Sequence, residues 1–252
     1  MTKPVLLLLH GVTMSAAAWS DVAPLLSEHF ELLVPTAAGH RGGPRFTGQA
    51  SIRALTDATE ALLDHHGHQS VHIAGNSMGG WMAIELARRG RARSVCAFSP
   101  AGFWTPGGPD ETRATRTIRR LGHLSRAIQP LAPVAFRSAA VRRIGMRDIA
   151  THAERLTAGQ AVESLRDLIA CDVADDLLGT SESVAPLDPL PCPITLAWAE
   201  HDRIFPLRAN GATAQKRLPH ADFVILPGVG HCPMIDDPAL CARTILESAA
   251  GT

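Results

Sequence analysis

The feature that most constrains the fold is an alternation of six short apolar runs with longer segments of helical periodicity. Short runs that are apolar on both faces are typical of central parallel strands. In the longer segments, apolar residues recur at the three- and four-residue spacing of an amphipathic helix. The alternation therefore predicts a parallel sheet covered by helices. The predicted strands are residues 5–9, 32–35, 71–74, 94–98, 194–199 and 223–226, and the predicted helices are residues 19–28, 51–66, 78–89, 207–218 and 238–249.

The alternation stops between residues 104 and 188. Irregular connectors flank this segment, "SPAGFWTPGGPDE" before it and the proline-rich "SVAPLDPLPCP" after it. Between the connectors only helical patterns occur, at residues 112–121, 133–143 and 161–172. We therefore predict that residues 1–103 and 189–252 form the α/β core and that residues 104–188 form a helical cap on it.

Charge and cysteine usage restrict the class of function. The chain has 24 basic and 24 acidic residues, and a net charge of zero gives no general attraction to nucleic acid or to an anionic membrane. Five cysteines without C-x-x-C spacing fit neither a disulfide framework nor a zinc site. The first apolar run is too short for a membrane span or a signal sequence. We expect a cytoplasmic protein that acts on a small molecule without metal or other cofactor; the sequence does not indicate its oligomeric state.

Ser77 lies in "IAGNSMGG", between a predicted strand and a predicted helix. A strand that turns sharply into a helix holds a serine in a strained conformation, with Oγ projecting outward and small residues two positions away. Gly75 and Gly79 meet that requirement. The alternative is a glycine-rich turn without chemical function. The strand–helix context favours a nucleophile.

A serine hydroxyl needs a base to remove its proton. Of twelve histidines, His231 lies in "LPGVGHCPMIDDP", between the last predicted strand and the last helix, where parallel sheets gather their sites. His10, in a His-Gly turn, is assigned a structural role. The orienting acid is predicted to be Asp202 in "LAWAEHDRIFP", with Glu200 as the competing carboxylate. A base of this kind loses activity at acid pH, because its imidazole must be neutral to accept a proton.

Backbone N–H groups are the expected donors to a developing oxyanion. One is the N–H of Met78, directly after Ser77. The other is the N–H of Val12, in "HGVTMSAAAW" after the first predicted strand. Ordinary packing is the alternative role for Val12, whose side chain is apolar.

Four segments in this order resemble the α/β-hydrolase fold superfamily: "LLLLHGVTMSAAAW", "IAGNSMGGWMAIELA", "LAWAEHDRIFP" and "PGVGHCPMIDDP". The resemblance implies Ser77 as nucleophile, Asp202 as acid and His231 as base, with Val12 and Met78 as backbone donors. Two departures stand out. The family's Asp-x-Pro-Gly-x-Gly turn is replaced by "PTAAGHRGGP", with Thr36 near the acid position. The chain also begins almost at the His-Gly strand, so we expect a shortened sheet of six parallel strands.

The expected activity is hydrolysis of a small carboxylic ester or related acyl substrate. Dehalogenases and most epoxide hydrolases of the fold use aspartate where Ser77 stands, which disfavours them. The motif "GNSMGG" is similar to that of C–C bond hydrolases of ring-cleavage (β-diketone-like) products, although Cys232 replaces the tryptophan that usually follows their histidine. A non-hydrolytic ligand-binding member of the fold is the remaining class, and lyase or haloperoxidase-type chemistry is compatible with the same triad.

Substrate contacts are expected in the cap. Phe103, Trp104 and Met146 are candidates for an apolar pocket, with core packing as the alternative. One stretch of the cap contains nine arginines and no acid between its first and last arginine. A solvated helix face explains it; alternatively, one or two of these side chains bind a substrate carboxylate. The arginines are residues 113, 116, 119, 120, 126, 137, 142, 143 and 147.

Overall fold

The computed structural model describes residues 3–251 and contains one sheet of six parallel strands. The strands are β1 (Val5–Leu9), β2 (Glu31–Leu33), β3 (Val71–Asn76), β4 (Ala92–Phe98), β5 (Ile194–Ala199) and β6 (Asp222–Leu226). Their spatial order is β2-β1-β3-β4-β5-β6, which confirms the predicted six-stranded parallel sheet. Since β2 and β3 lie on opposite sides of β1, the strand order reverses there, and a crevice is expected at the carboxyl ends of these strands.

The alternation of side chains along β1 explains why both faces of the sheet are covered. Leu7 and Leu9 belong to a buried cluster on one face, and Leu6 and Leu8 belong to a second cluster on the other. β2 is shorter than predicted and ends before Pro35, which has no N–H to donate to a strand ladder.

Helices of the core cover the two faces. Those packed on the Leu7 face include α2 (Ile52–His65) and α3 (Met78–Arg88), and those on the Leu6 face include α1 (Ala23–Leu26) and α11 (Pro238–Ala250). The predicted helix at residues 19–28 is instead a 3-10 turn, Ala16–Trp19, followed by α1. The one predicted at residues 207–218 begins as a π turn, Leu207–Gly211, and continues as α9 (Ala212–Arg217).

Only helices and turns lie between β4 and β5. The helices are α4 (Pro109–Ile128), α5 (Ala132–Ala135), α6 (Ala139–Gly145), α7 (Ala158–Ile169) and α8 (Ala174–Leu178), with a 3-10 turn at Ala153–Arg155. The helix predicted at residues 133–143 is divided into α5 and α6, because Ser138 caps α6 through the N–H of Val141. The division between core and cap at residues 104 and 188 stays a prediction.

Arg217 fastens both ends of this helical segment to the core. Its guanidinium donates to the carbonyl oxygens of Gly102 (3.1 Å) and Trp104 (2.7 Å) where the chain leaves the sheet, and of Val184 (2.7 Å) where it returns. A short helix, α10 (Pro233–Asp236), precedes α11. Within residues 3–251, no helix combines the length and apolarity needed to cross a bilayer.

Candidate active site

Ser77 lies at the junction of β3 and α3 with φ +55° and ψ −115°. A non-glycine residue in such a conformation costs on the order of 1–3 kcal/mol and persists only where the surroundings enforce it. They do so here by close backbone approach. A Cβ at Gly75 would lie 2.2 Å from the carbonyl oxygen of Gly79, and one at Gly79 would lie 2.3 Å from that of Leu9. Both glycines are therefore required by the packing of α3 against β1 and β3.

Backbone hydrogen bonds hold Ser77 on both sides. Its N–H donates to the carbonyl of Phe98 (2.9 Å), and its carbonyl accepts from the N–H of Ala101 (3.0 Å). The residue is only 3% exposed, yet it lines a cavity of about 310 Å³ between the carboxyl end of the sheet and the helical segment that joins β4 to β5. The hydroxyl is thus sheltered from bulk water but open to a bound ligand.

His231 lines the same cavity and is hydrogen-bonded to Asp202, whose carboxylate is buried. The distance from His231 Nδ1 to Asp202 Oδ2 is 2.8 Å. The other carboxylate oxygen, Oδ1, accepts from the N–H groups of Ile204 (2.8 Å) and Phe205 (2.7 Å), so the orientation of the carboxylate is fixed. The ring of Phe205 packs edge-on against the imidazole, with centroids 5.0 Å apart. With Nδ1 bonded to a carboxylate, the His231 Nε2 is available to accept a proton.

The two competing groups have other partners. The exposed carboxylate of Glu200 accepts from the N–H of Gly228 at 2.8 Å. His10 is buried, with Nδ1 2.8 Å from the carbonyl of Gly11 and Nε2 accepting from the N–H of Ala37 at 2.9 Å. Burial lowers the pKa of His10 to about 3, so its imidazole is neutral and connects two loops.

The predicted oxyanion donors flank the serine. Met78 is the first residue of α3, so its N–H has no acceptor within the helix. Val12 lines the cavity beside Ser77. The neighbouring turn lacks the family's acid, but the Thr36 hydroxyl accepts from the N–H of Ala16 at 3.1 Å and so ties this turn to the loop that contains Val12.

Sequence reasoning missed Asn76, which precedes the serine and is fully buried. Its amide nitrogen donates to the carbonyl oxygens of His231 (2.9 Å) and Phe98 (3.2 Å), and its amide oxygen lies 3.6 Å from the Sγ of Cys232. A polar side chain at the end of a buried strand needs partners, and this was the signal available. Burial raises the pKa of the Cys232 thiol, so the cysteine beside His231 stays protonated.

Asp236 was also missed. Its buried carboxylate accepts from the N–H of Gly230 (2.6 Å), next to His231, and from those of Thr151 (3.0 Å) and His152 (2.6 Å) in the cap. The histidine loop and the helical segment between β4 and β5 are therefore joined through one side chain.

Ser77 separates two cavities of unequal size. The larger one, of about 310 Å³, is lined by Met146 and other apolar cap residues, and the smaller one, of about 40 Å³, is lined by Trp104. The third pocket candidate, Phe103, lines neither cavity. It packs edge-on against Trp198 in the core, with centroids 6.3 Å apart. Core packing, the alternative role for Phe103, is thus what its contact with Trp198 supports, whereas Trp104 lines the smaller cavity.

The structure does not support a substrate-binding role for the cap arginines. None of the nine lines the cavity of about 310 Å³. Arg142, the one buried member, donates to the carbonyl oxygens of Phe136 and Glu154 within the cap. The lining contains no lysine or arginine, and its carboxylates belong to Asp21, Asp148, Glu163 and Asp167.

A family model described as "Alpha/beta hydrolase family" matches residues 6–244. The chain belongs to the α/β-hydrolase family. It is 30% identical over 199 residues to epoxide hydrolase EphH of Mycobacterium tuberculosis, an alignment that covers 77% of this chain and 93% of the relative. It is 29% identical over 269 residues to a pimeloyl-[acyl-carrier protein] methyl ester esterase of Aromatoleum aromaticum, with full coverage of both.

Among solved structures, this α/β-hydrolase resembles a thermophilic esterase from Thermogutta terrifontis, with a TM-score of 0.71 and 22% identity. The match covers 98% of this chain and 89% of that one, and at this identity it shows the fold. The two sequence relatives named above are an epoxide hydrolase and an esterase, which supports hydrolase activity for the chain.

Proposed function

We propose that this protein is a serine hydrolase that cleaves small carboxylic esters or related acyl substrates through Ser77, His231 and Asp202. The observation that carries the proposal is the 2.8 Å bond between His231 Nδ1 and Asp202 Oδ2, beside the strained Ser77 in one cavity. A base oriented by a carboxylate and placed beside a nucleophile is the arrangement that acyl transfer requires.

In the proposed reaction, Ser77 Oγ attacks the substrate carbonyl carbon while His231 Nε2 takes the hydroxyl proton. The N–H groups of Met78 and Val12 stabilise the oxyanion, and loss of one such donor costs about 3 kcal/mol in the barrier. His231 then gives the proton to the leaving alcohol oxygen as the C–O bond breaks. Water hydrolyses the acyl-serine by the same route in reverse.

The activities named for the two relatives by sequence use different nucleophiles in this fold. One relative is named an epoxide hydrolase; most such enzymes of the fold open the epoxide with an aspartate, and this chain has Ser77 at the nucleophile position. Another relative is named a methyl ester esterase, an activity that suits a serine. The comparison therefore favours ester cleavage.

One sequence feature favours a second candidate. The residues "GNSMGG" are similar to those of C–C bond hydrolases of ring-cleavage products, and such a reaction would use the same cavity. Its substrates would be distinguished from esters by direct assay. A binding protein without turnover is the third outcome.

The test is labelling by a fluorophosphonate probe, followed by an ester panel. We expect labelling of the wild type, none of Ser77→Ala, and release of alcohol from esters in proportion to active protein. Labelling that persists in Ser77→Ala would reject the nucleophile. Labelling without turnover of any ester would favour the C–C hydrolase if a β-diketone-like substrate is cleaved, and the binding protein if it is not.

A further inference from the structure

The two cavities on either side of Ser77 are lined by different members of the proposed catalytic machinery. His231 lines the larger cavity. Met78, whose N–H is a proposed oxyanion donor, lines the smaller one. Ser77 and Val12 line both, so the reacting carbon of a bound ester would lie at the junction of the two.

We infer that the ester is bound with its acyl chain in the smaller cavity and its alcohol group in the larger one, so that the enzyme selects esters of short acids with long apolar alcohols. This inference rests on the proposed function and adds the substrate class. Its physical basis is the proton that the leaving oxygen must receive. That oxygen has to lie next to His231 Nε2 when its bond to the carbonyl carbon breaks, so the alkyl group attached to it extends into the cavity lined by His231.

The remaining substituent of the carbonyl carbon then points away from His231. It enters the space enclosed by Trp81, Trp104, Leu177 and Leu178. At about 10–15 Å³ for each water-sized group, the smaller cavity of about 40 Å³ accommodates about three such groups. That limit corresponds to the chain of a two- to four-carbon acid. The larger cavity of about 310 Å³ holds an alkyl chain several times longer.

The walls of the larger cavity match an apolar alcohol. The side chains that surround it are mostly aliphatic or aromatic and include Leu124, Ile128, Phe136, Met146 and Leu168. Leu124 is 53% exposed although it lines the cavity, which places an apolar rim at the opening. A long alkyl group there removes apolar surface from water at about 25 cal/mol per Å², whereas the smaller cavity offers little further burial.

Two isomeric esters test the assignment directly, because they have the same atoms and nearly the same hydrophobicity. Octyl acetate has the short acid and the long alcohol, and methyl nonanoate has the reverse. We expect kcat/KM to be at least about tenfold higher for octyl acetate, since excluding even one methylene from a fitted pocket changes selectivity by about 10–200-fold. A ratio of one or below would overturn the inference.

Matched truncations on the two sides provide a second readout. Leu177→Ala enlarges only the smaller cavity, and Leu168→Ala enlarges only the larger one. With 4-nitrophenyl esters, we expect Leu177→Ala to raise the octanoate-to-acetate ratio of kcat/KM by about tenfold or more, and Leu168→Ala to leave it within about twofold. The opposite pattern would place the acyl chain in the larger cavity.

The outcomes separate this inference from the proposed function. Hydrolysis of both isomers with methyl nonanoate preferred, together with fluorophosphonate labelling of Ser77, overturns the assignment of the cavities and leaves the serine esterase standing. Absence of hydrolysis of every ester, despite folded protein by circular dichroism, overturns both.

Discussion

The side-chain amide of Asn76 donates to the backbone carbonyl of His231 across 2.9 Å. The residue before the proposed nucleophile is thus bonded to the residue that contains the proposed base, although 155 positions separate them in the chain. This bond fixes the histidine loop relative to β3, whereas the bond that His231 Nδ1 donates to Asp202 fixes the imidazole ring itself.

Replacing Asn76 with alanine is expected to lower kcat more than stability alone explains. Two donated hydrogen bonds are lost, at about 1 kcal/mol each. The buried carbonyl of His231 also loses this partner, whereas that of Phe98 still accepts from the N–H of Ser77. We expect the free energy of unfolding to fall by about 2–4 kcal/mol and kcat to fall by at least about tenfold in folded protein at 20 °C.

The control is Asn210→Ala. Asn210 is also a buried amide, and it donates to the carbonyl of Phe103 at 3.0 Å, away from His231. The Asn210→Ala variant should lose a free energy of unfolding comparable to that lost by Asn76→Ala and keep kcat near the wild-type value. Equal loss of kcat in both variants would show that Asn76 acts only through stability.

Replacing Asp202 with asparagine should preserve the fold and nearly abolish turnover. Oδ1 accepts two N–H groups, so the asparagine oxygen is held there and its NH₂ group faces His231 Nδ1. The imidazole must then carry its proton on Nε2, which is the wrong tautomer for a base. A loss of about 10⁴ in kcat is expected by analogy with triads of this kind, with thermal stability changed little.

Glu200→Gln is the matched control for this prediction, because Glu200 is the other carboxylate in the same loop and is exposed. Its kcat should remain within about twofold of the wild type. If Glu200→Gln is the inactive variant and Asp202→Asn the active one, the assignment of the acid is reversed.

The course of the chain explains which parts of this site were predictable. Ser77, Asp202 and His231 each follow a strand with a clear apolar pattern, and carboxyl ends of parallel strands meet at one edge of the sheet. Asn76 and Asp236 act through backbone groups of segments remote in sequence, whose positions depend on tertiary packing. The side-chain direction of Phe103 depends on the same packing, since Trp198 occupies the space beneath it.

In the helical segment between β4 and β5, too, only part of the structure could be predicted from the sequence. Its amphipathic patterns predict helices, and α4 and α7 occur where they are expected. The short α8 was missed, because a five-residue helix has too few turns for a recognisable period. Its Leu177 and Leu178 nevertheless form a wall of the smaller cavity. The residues inferred to limit the length of the acyl chain could therefore not be identified from the sequence pattern.

His10 is expected to make the protein less stable at acid pH. Its folded-state pKa is lowered to about 3 from an ordinary value of 6.5, so below pH 6.5 the unfolded chain binds a proton that the folded protein does not. The free energy of unfolding therefore falls as the pH drops from 6.5 towards 3. Between pH 7.5 and pH 5, His10 alone should lower the free energy of unfolding by about 2 kcal/mol, since one pKa unit corresponds to about 1.4 kcal/mol.

Urea unfolding of the wild type and His10→Gln at pH 7.5 and 5.0 measures the contribution of His10 to this loss of stability. Glutamine does not titrate in this range, so the variant should show a smaller drop between the two pH values, whatever its stability at pH 7.5. His29→Gln changes an exposed histidine and should keep the wild-type drop. An identical drop in all three proteins would contradict the assignment.

The four carboxylates in the mostly apolar lining of the larger cavity should discriminate against anionic substrates. Asp21, Asp148, Glu163 and Asp167 line it without a lysine or arginine, although Arg41 outside the lining bonds to Glu163 and Asp167. We expect kcat/KM for an acetate ester whose alcohol ends in a carboxylate to be at least about tenfold below that of its neutral amide analogue at low salt. Added salt should narrow the difference, because it screens exposed charges.

Asp148→Asn removes one of these charges. At low salt it should reduce the ratio of kcat/KM between the neutral amide ester and the carboxylate ester by about two- to fivefold, as expected for a partly exposed charge near the ligand. Asp222→Asn removes an exposed charge on β6, outside the cavity, and should leave the ratio unchanged. The result that contradicts the prediction is a preference for the carboxylate ester, which would require a cation that reaches into the cavity when substrate binds.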